Sequence, residues 1–179
     1  TITLGAGADT FDGSGFAGVN TVTGGTHGDT MTGGTGIDTY VFAAADSVAP
    51  SSIVTAGANL AAGDVIYYAN GVDVITNMAT TSSTADDIIN GPVGGSNPTT
   101  VIGVAHANLN NGGALDMFAS GAWDSAAKTF TITADGLGAD TLFLYTAGGA
   151  DVSDSLATST STIVLQGVDS DNLLAANLT

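Results

Sequence analysis

A chain of 179 residues with 44% apolar content is long enough for one domain or two small ones and rich enough to bury a core. All 17 acidic residues are Asp, Lys128 is the single basic residue, and the net charge is −16. That balance excludes phosphate-backbone binding and attraction to anionic membranes, and it favours a chain whose self-repulsion is relieved by bound cations.

Thr1-Ile2-Thr3-Leu4 reads as a strand leading into a loop, so the chain begins as if inside a repeat array. A three-residue unit then recurs: Asp9-Thr10-Phe11, Asn20-Thr21-Val22, Asp29-Thr30-Met31 and Asp38-Thr39-Tyr40. Asn20, Asp29 and Asp38 are spaced nine apart, and the first copy is displaced by a two-residue insertion. Glycines precede the acidic residues, as in Gly24-Gly25-Thr26-His27-Gly28-Asp29 and Gly33-Gly34-Thr35-Gly36-Ile37-Asp38. Such glycines permit tight loops with positive φ and leave carbonyls free to face a cation. Asp supplies a hard anionic oxygen that suits Ca²⁺. A flexible linker would not place an apolar residue two after each Asp. His27 occupies a variable loop position and reads as a solvated side chain. Tyr40-Val41-Phe42 is read as the last strand of this series, closed by residues 43–49, with a boundary at Pro50-Ser51-Ser52.

Beyond it the pattern suggests antiparallel β. Val65–Tyr68 and Val72–Ile75 flank Ala69-Asn70-Gly71, a strong hairpin signal. Asp86–Ile89 and Val101–Val104 read as short strands, and Ala105–Leu109 as a helical turn. Ala114–Ser120 and Thr129–Thr133 read as paired strands joined by a turn at Asp124–Lys128. Thr141–Tyr145 and Thr162–Leu165 are buried-type strands. Apolar residues cluster or alternate and do not recur at a helical period. Several short strands with frequent turns imply a sandwich or roll.

Residues 33–41 fit the nonapeptide G-G-x-G-x-D-x-U-x, where U is a large apolar residue, and residues 24–32 are a looser copy. On these motifs the chain resembles the RTX calcium-binding repeat proteins. Gly71–Met78 with Asp86–Ile89 resembles the region after such repeats, and Ser161–Asp169 with Asn172–Asn177 resembles C-terminal modules of type I secreted and S-layer-like proteins. The resemblance implies an all-β fold: a short parallel β-roll over 1–49, then an antiparallel sandwich or jelly-roll-like module over 50–179 that packs as a continuation of the roll. It implies half-turn repeats, so that Asp9 lies over Asp29 and Asn20 over Asp38, with Ca²⁺ between the stacked loops. The implied ligands are Asp9, Asn20, Asp29 and Asp38, with the loops around Gly25, Gly34 and Gly36. Asn20 weakens its site, because an amide replaces a carboxylate. Asp86 and Asp87 form a further candidate pair, since adjacent like charges call for neutralisation. Asp135 and Asp140 bracket a glycine-rich loop whose Asp140-Thr141-Leu142 echoes the repeat. Asp151 and Asp154, and the group of Asp64, Asp73, Asp86 and Asp87, are weaker candidates.

An enzyme is not expected. The chain lacks Cys, Arg and Glu, carries neither an H-E-x-x-H nor a G-x-S-x-G motif, and its two histidines, His27 and His106, lie in separate segments. Without cysteines, a secreted chain needs another staple, and calcium is the obvious one. No apolar run approaches the roughly 20 residues of a membrane span. The expected function is an extracellular calcium-binding structural protein that folds after export and assembles into a surface layer or filament through the uncapped end at residues 1–4. Copies of itself are the expected partners, with cell-surface polysaccharide as another. The alternative is a C-terminal secretion and folding module of a larger exported hydrolase or adhesin.

Overall fold

The computed structural model describes residues 1–43, 46, 50–54, 60–80, 87–91, 100–102, 106–107, 116–134, 137–146, 160–173 and 177. The described chain is nearly all β, in mixed sheets. In order the strands are β1 (Ile2–Ala6), β2 (Thr10–Asp12), β3 (Asn20–Thr26), β4 (Thr30–Thr32), β5 (Asp38–Val41), β6 (Ser52–Val54), β7 (Leu60–Ala61) and β8 (Val65–Tyr67). They continue with β9 (Asp73–Thr76), β10 (Ile88–Asn90), β11 (Thr100–Ile102), β12 (His106–Ala107), β13 (Asp116–Asp124), β14 (Thr129–Ile132), β15 (Asp140–Thr146) and β16 (Thr160–Gln166). A 3₁₀ turn follows at Ser170–Asn172.

The chain alternates between two sheets. One has the order β1-β3-β5-β10, and all its pairs are parallel. The other begins β2-β4-β9-β16, also parallel, and continues with antiparallel strands through β15, β13, β14, β8 and β6. Consecutive strands thus stack on the next strand but one, and each pair forms a rung. Register places like on like. Ile2, Val22, Tyr40 and Ile89 form one inward ladder. Phe11, Met31, Ile75 and Leu165 form the facing one. The recurrence of an apolar residue two after each Asp or Asn is the cause, because side chains alternate faces at a period of two. These ladders share a core with Phe118, Phe143 and Ile163. Threonines fill the outer face, where Thr76 Oγ1 donates to Thr32 Oγ1 at 2.8 Å.

A second core lies on the opposite face of the long sheet. It joins Val74, Leu142, Leu144 and Val164 to Ile66, Tyr68, Phe130 and Ile132 of β8, β14 and their flanks. Strands far apart in one sheet share this cluster, so the sheet curls over. Thr141–Leu144 and Ser161–Leu165 are therefore buried on both faces, which explains their continuous runs without alternation.

Two expectations change. Asn70-Gly71 makes a turn, with Gly71 N–H donating to the Tyr68 carbonyl at 3.0 Å, but not a hairpin. Its flanking strands separate: β8 pairs with β14 and β6, whereas β9 pairs in parallel with β4 and β16. The unit Asp73-Val74-Ile75 fits the parallel ladder better than it fits a local partner. His106–Ala107 is a strand paired with Leu60–Ala61, where a helical turn was expected. Nor is β5 the last strand of the alternating series, which runs on through β9, β10 and β16. A hairpin β13–β14 forms around the expected turn, but the residues that pair with β14 are Gly121–Asp124, Trp123 opposite Phe130, whereas Asp116–Gly121 pair with β15. Its turn is held by Asp124 Oδ1, which accepts from the N–H groups of Ala126 and Ala127, both at 2.9 Å.

Candidate metal-binding loops

Apart from β1, each strand of the parallel stack up to β10 starts at or just after an Asp or Asn, and these residues stack. Asn20 lies opposite Asp38, and Thr10 opposite Thr30 sets Asp9 above Asp29. Carboxylates tie the stack together. Asp29 Oδ1 accepts the Asp9 backbone N–H at 2.8 Å, and Asp73 Oδ1 accepts the Asp29 N–H at 2.8 Å. In the other sheet, Asp87 Oδ1 accepts the Asp38 N–H at 2.7 Å, and Asp38 Oδ1 accepts from Asn20 Nδ2 at 2.7 Å. Asp38 Oδ2 takes the Gly34 N–H at 2.7 Å and Asp87 Oδ2 the Ala79 N–H at 2.9 Å, so each of these carboxylates also closes its own loop. Asp29, Asp38, Asp73 and Asp87 are buried, whereas Asp9 and Asn20 are half-buried.

Asn20 therefore has a positive reason to be an amide. A carboxylate there would face Asp38 at hydrogen-bonding distance, whereas the amide donates to it.

The glycines bring the loops into close contact. Gly25, at φ +102, sits where a Cβ would strike the Gly5 carbonyl oxygen of the neighbouring loop. A Cβ at Gly34 would meet the Phe16 carbonyl oxygen, and at Gly36 that of Gly18. Main-chain carbonyls of one loop thus line the glycine faces of the next. His27 is exposed, also at positive φ, with Nδ1 2.6 Å from the Thr26 carbonyl oxygen.

Asp29 has one carboxylate oxygen to spare. Asp29 Oδ2 is buried and has no hydrogen-bond partner, and it points at Gly24, where a Cβ would lie 2.6 Å from it. Burial pushes the Asp29 carboxyl above the usual carboxylate range, and the Asp9 N–H opposes that shift. Among the described residues, no three His or Asp side chains converge closely enough to hold an ion by themselves. A cation at Asp29 must therefore draw on loop carbonyls. An all-oxygen set of one carboxylate and glycine-loop carbonyls suits a hard ion such as Ca²⁺.

The remaining candidates lie elsewhere. Asp140 opens β15, its Oδ1 accepting the Gly167 N–H at 2.8 Å and its Oδ2 the Trp123 N–H at 2.7 Å. It ties antiparallel strands and stands outside both ladders. Asp64 closes a turn by accepting the Ala61 N–H at 2.7 Å. Asp86, Asp135, Asp151 and Asp154 lie outside the described residues.

Asp73 and Asp87 enter the sequence reading through their acidity and through the segments that resemble the region after the repeats, not as members of the repeated unit. Their signal was nevertheless present, since Asp73-Val74-Ile75 and Asp87-Ile88-Ile89 each place an apolar residue two after Asp. Long insertions hide it: 20 residues separate Asp9 from Asp29, but 44 separate Asp29 from Asp73 and 49 separate Asp38 from Asp87.

No protein-family model matches the chain, and no curated protein matches it.

Proposed function

We propose that this chain is an extracellular calcium-stabilised structural module of the RTX type, a parallel β-roll continued by an antiparallel β module, which folds on binding calcium after export and associates with its own copies. The buried, unpartnered Oδ2 of Asp29 among stacked glycine loops carries this reading. A buried carboxylate oxygen with no donor costs free energy, and a divalent cation removes that cost. Asp9, Asn20, Asp29 and Asp38 would contribute side chains, with carbonyls from the loops around Gly25, Gly34 and Gly36. Asp73 extends the same ladder and joins the set. Bound calcium would supply charge neutralisation to a chain at −16 and link folding to calcium concentration by mass action. Extracellular calcium modules work at Kd values of about 10⁻⁴–10⁻³ M, far above cytosolic calcium, so the chain would stay export-competent inside and fold outside.

The test is a calcium titration of metal-free protein followed by circular dichroism and isothermal calorimetry. A rise in β signal with saturable heat is expected, and Asp29→Ala should remove at least one equivalent of binding. Identical spectra and no heat across millimolar calcium would refute the calcium reading.

A second reading has one observation in its favour. In the long sheet the last strand of the stack, β16, is covered by β15, whereas β1, β2 and β10 are outer strands. Terminal repeats of solenoids are modified into caps in this way. The chain would then be the closing module of a larger exported hydrolase or adhesin, and a catalytic or adhesive domain in the parent polypeptide would decide for it.

A further inference from the structure

The parallel stack has two edges. Segments that carry the chain from the sheet of β1, β3 and β5 to the facing sheet lead to Asp9, Asp29 and Asp73. Segments that carry it back lead to Asn20, Asp38 and Asp87. The edges differ in how their oxygens are satisfied.

On the returning edge, side-chain amides join the loops. Asn20 Nδ2 donates to the Gly18 carbonyl at 3.1 Å and to Asp38 Oδ1 at 2.7 Å, which uses both of its hydrogens. Asn77, itself exposed, donates from Nδ2 to the carbonyls of Gly33 and Gly34 at 3.0 and 3.3 Å. Its φ of +59 is one that Asn adopts more readily than most residues. Buried Asn177 donates to the Asp87 carbonyl at 2.8 Å. Both oxygens of Asp38 accept, from Asn20 and from the Gly34 N–H, and both of Asp87 do, from the N–H groups of Asp38 and Ala79. The crossing edge is different. Asp29 Oδ1 accepts the Asp9 N–H, while its buried Oδ2 has no partner, and among the described residues no side-chain amide reaches it.

We propose that the amides of Asn20 and Asn77 take the place of cations on the returning edge, so that calcium enters the stack first at Asp29 and reaches the Asn20–Asp38 edge only by displacing them. An amide N–H brings partial positive charge to the same lone pairs that a cation would use. A cation at the Gly33 and Gly34 carbonyls would meet Asn77 Nδ2 head-on, and one at Asp38 would meet Asn20 Nδ2. Separating those contacts subtracts from its affinity, and a neutral Asn20 lowers the ligand charge as well. At Asp29 Oδ2 there is no donor to displace. The proposal rests on the calcium reading above and sets the order in which the ligands named there are engaged.

Calcium calorimetry on the full chain, with amide-resolved NMR on the same samples, tests this. A tighter and a weaker step are expected. Asp29→Asn keeps an oxygen for the Asp9 N–H but removes the charge, and it should abolish the tighter step. Asn20→Asp and Asn77→Gly should each strengthen the weaker step about tenfold, because ligand charge and available oxygens tune such sites. Glycine keeps the left-handed φ open at position 77. The NMR needs no variant: with the tighter step filled, the side-chain NH₂ protons of Asn20 should exchange with solvent more slowly than those of exposed Asn70. Equal weakening of the tighter step by Asp29→Asn and Asp38→Asn, no response to Asn20→Asp and Asn77→Gly, or Asn20 protons that exchange as fast as those of Asn70 would each overturn it. The failures are separable: no calcium heat in any protein defeats the calcium reading, whereas saturable heat shared equally between the edges defeats the order alone.

Discussion

The parallel stack and the antiparallel strands use the same three-residue unit in different ways. In the stack, Asp38-Thr39-Tyr40 sends its carboxylate to the neighbouring rung and to its own loop, and its tyrosine inward. Among the antiparallel strands, Asp140-Thr141-Leu142 sends its carboxylate to Trp123 and Gly167 and its leucine into the other core. Both aspartates accept from part-buried N–H groups, but only the first belongs to a ladder of similar residues. Ladders accumulate charge, so the stack should depend on cations and the antiparallel strands should not.

The largest test is of the two cores. Tyr40→Ala empties the stack core and Phe130→Ala the second core, each at a cost of about 3–5 kcal/mol. The long sheet carries Val74 on one face and Ile75 on the other, so the cores share a wall. Urea unfolding should therefore give one transition in calcium, shifted by either substitution. Two transitions would show that the stack and the antiparallel strands fold separately.

Asn20→Asp separates the regions more finely. It replaces a donated hydrogen bond with facing carboxylates, a loss of about 1–3 kcal/mol in chelator. Added calcium should recover most of that loss, because the pair becomes an anionic site. Asp140→Asn should cost a similar amount in chelator and in calcium alike. Equal rescue of both variants would erase the distinction.

Alkaline pH acts on both regions at once. Burial raises the Tyr40 phenol far above its usual value of about 10, helped by the carboxylates of Asp87 and Asp38. Burial raises Tyr68 likewise, with the nearby Thr162 opposing the shift. Below pH 10 both states keep these protons and nothing changes. Above it the unfolded phenols ionise and the folded ones do not, so stability falls by about 1.4 kcal/mol per pH unit for each tyrosine. Tyr40→Phe and Tyr68→Phe should each remove one share of that slope in pH-dependent urea midpoints.

Local units were legible in the sequence, and long-range partners were not. The stacking of Asn20 on Asp38 follows from a spacing that a short loop preserves. Asp73 and Asp87 carry the same unit, yet insertions place their partners more than 40 residues away, beyond any fixed period. The Asn70-Gly71 signal misled for the complementary reason. Turn chemistry is local, but β9 gains a carboxylate–amide contact and an inward Ile75 by joining the stack instead. Asp29 was legible as a ligand candidate; its leftover oxygen emerges only when burial removes water and Asp9 takes the other one.

The smallest expected effect concerns the outer faces. Thr76→Val removes a side-chain hydrogen bond to Thr32 on the outer face of the stack, where both groups are half-buried and water can substitute, so about 0.5–1 kcal/mol should be lost. Thr141→Val removes a similarly short bond, 2.7 Å from β15 to the Val168 carbonyl just past β16, with both residues buried. No water replaces it there, and the loss should reach about 1–3 kcal/mol. Thermal unfolding of the two variants therefore ranks the regions by solvent access rather than by bond length. If Thr76→Val proved the costlier, the threonine ladder would be holding the rungs in register, a role that its exposure argues against.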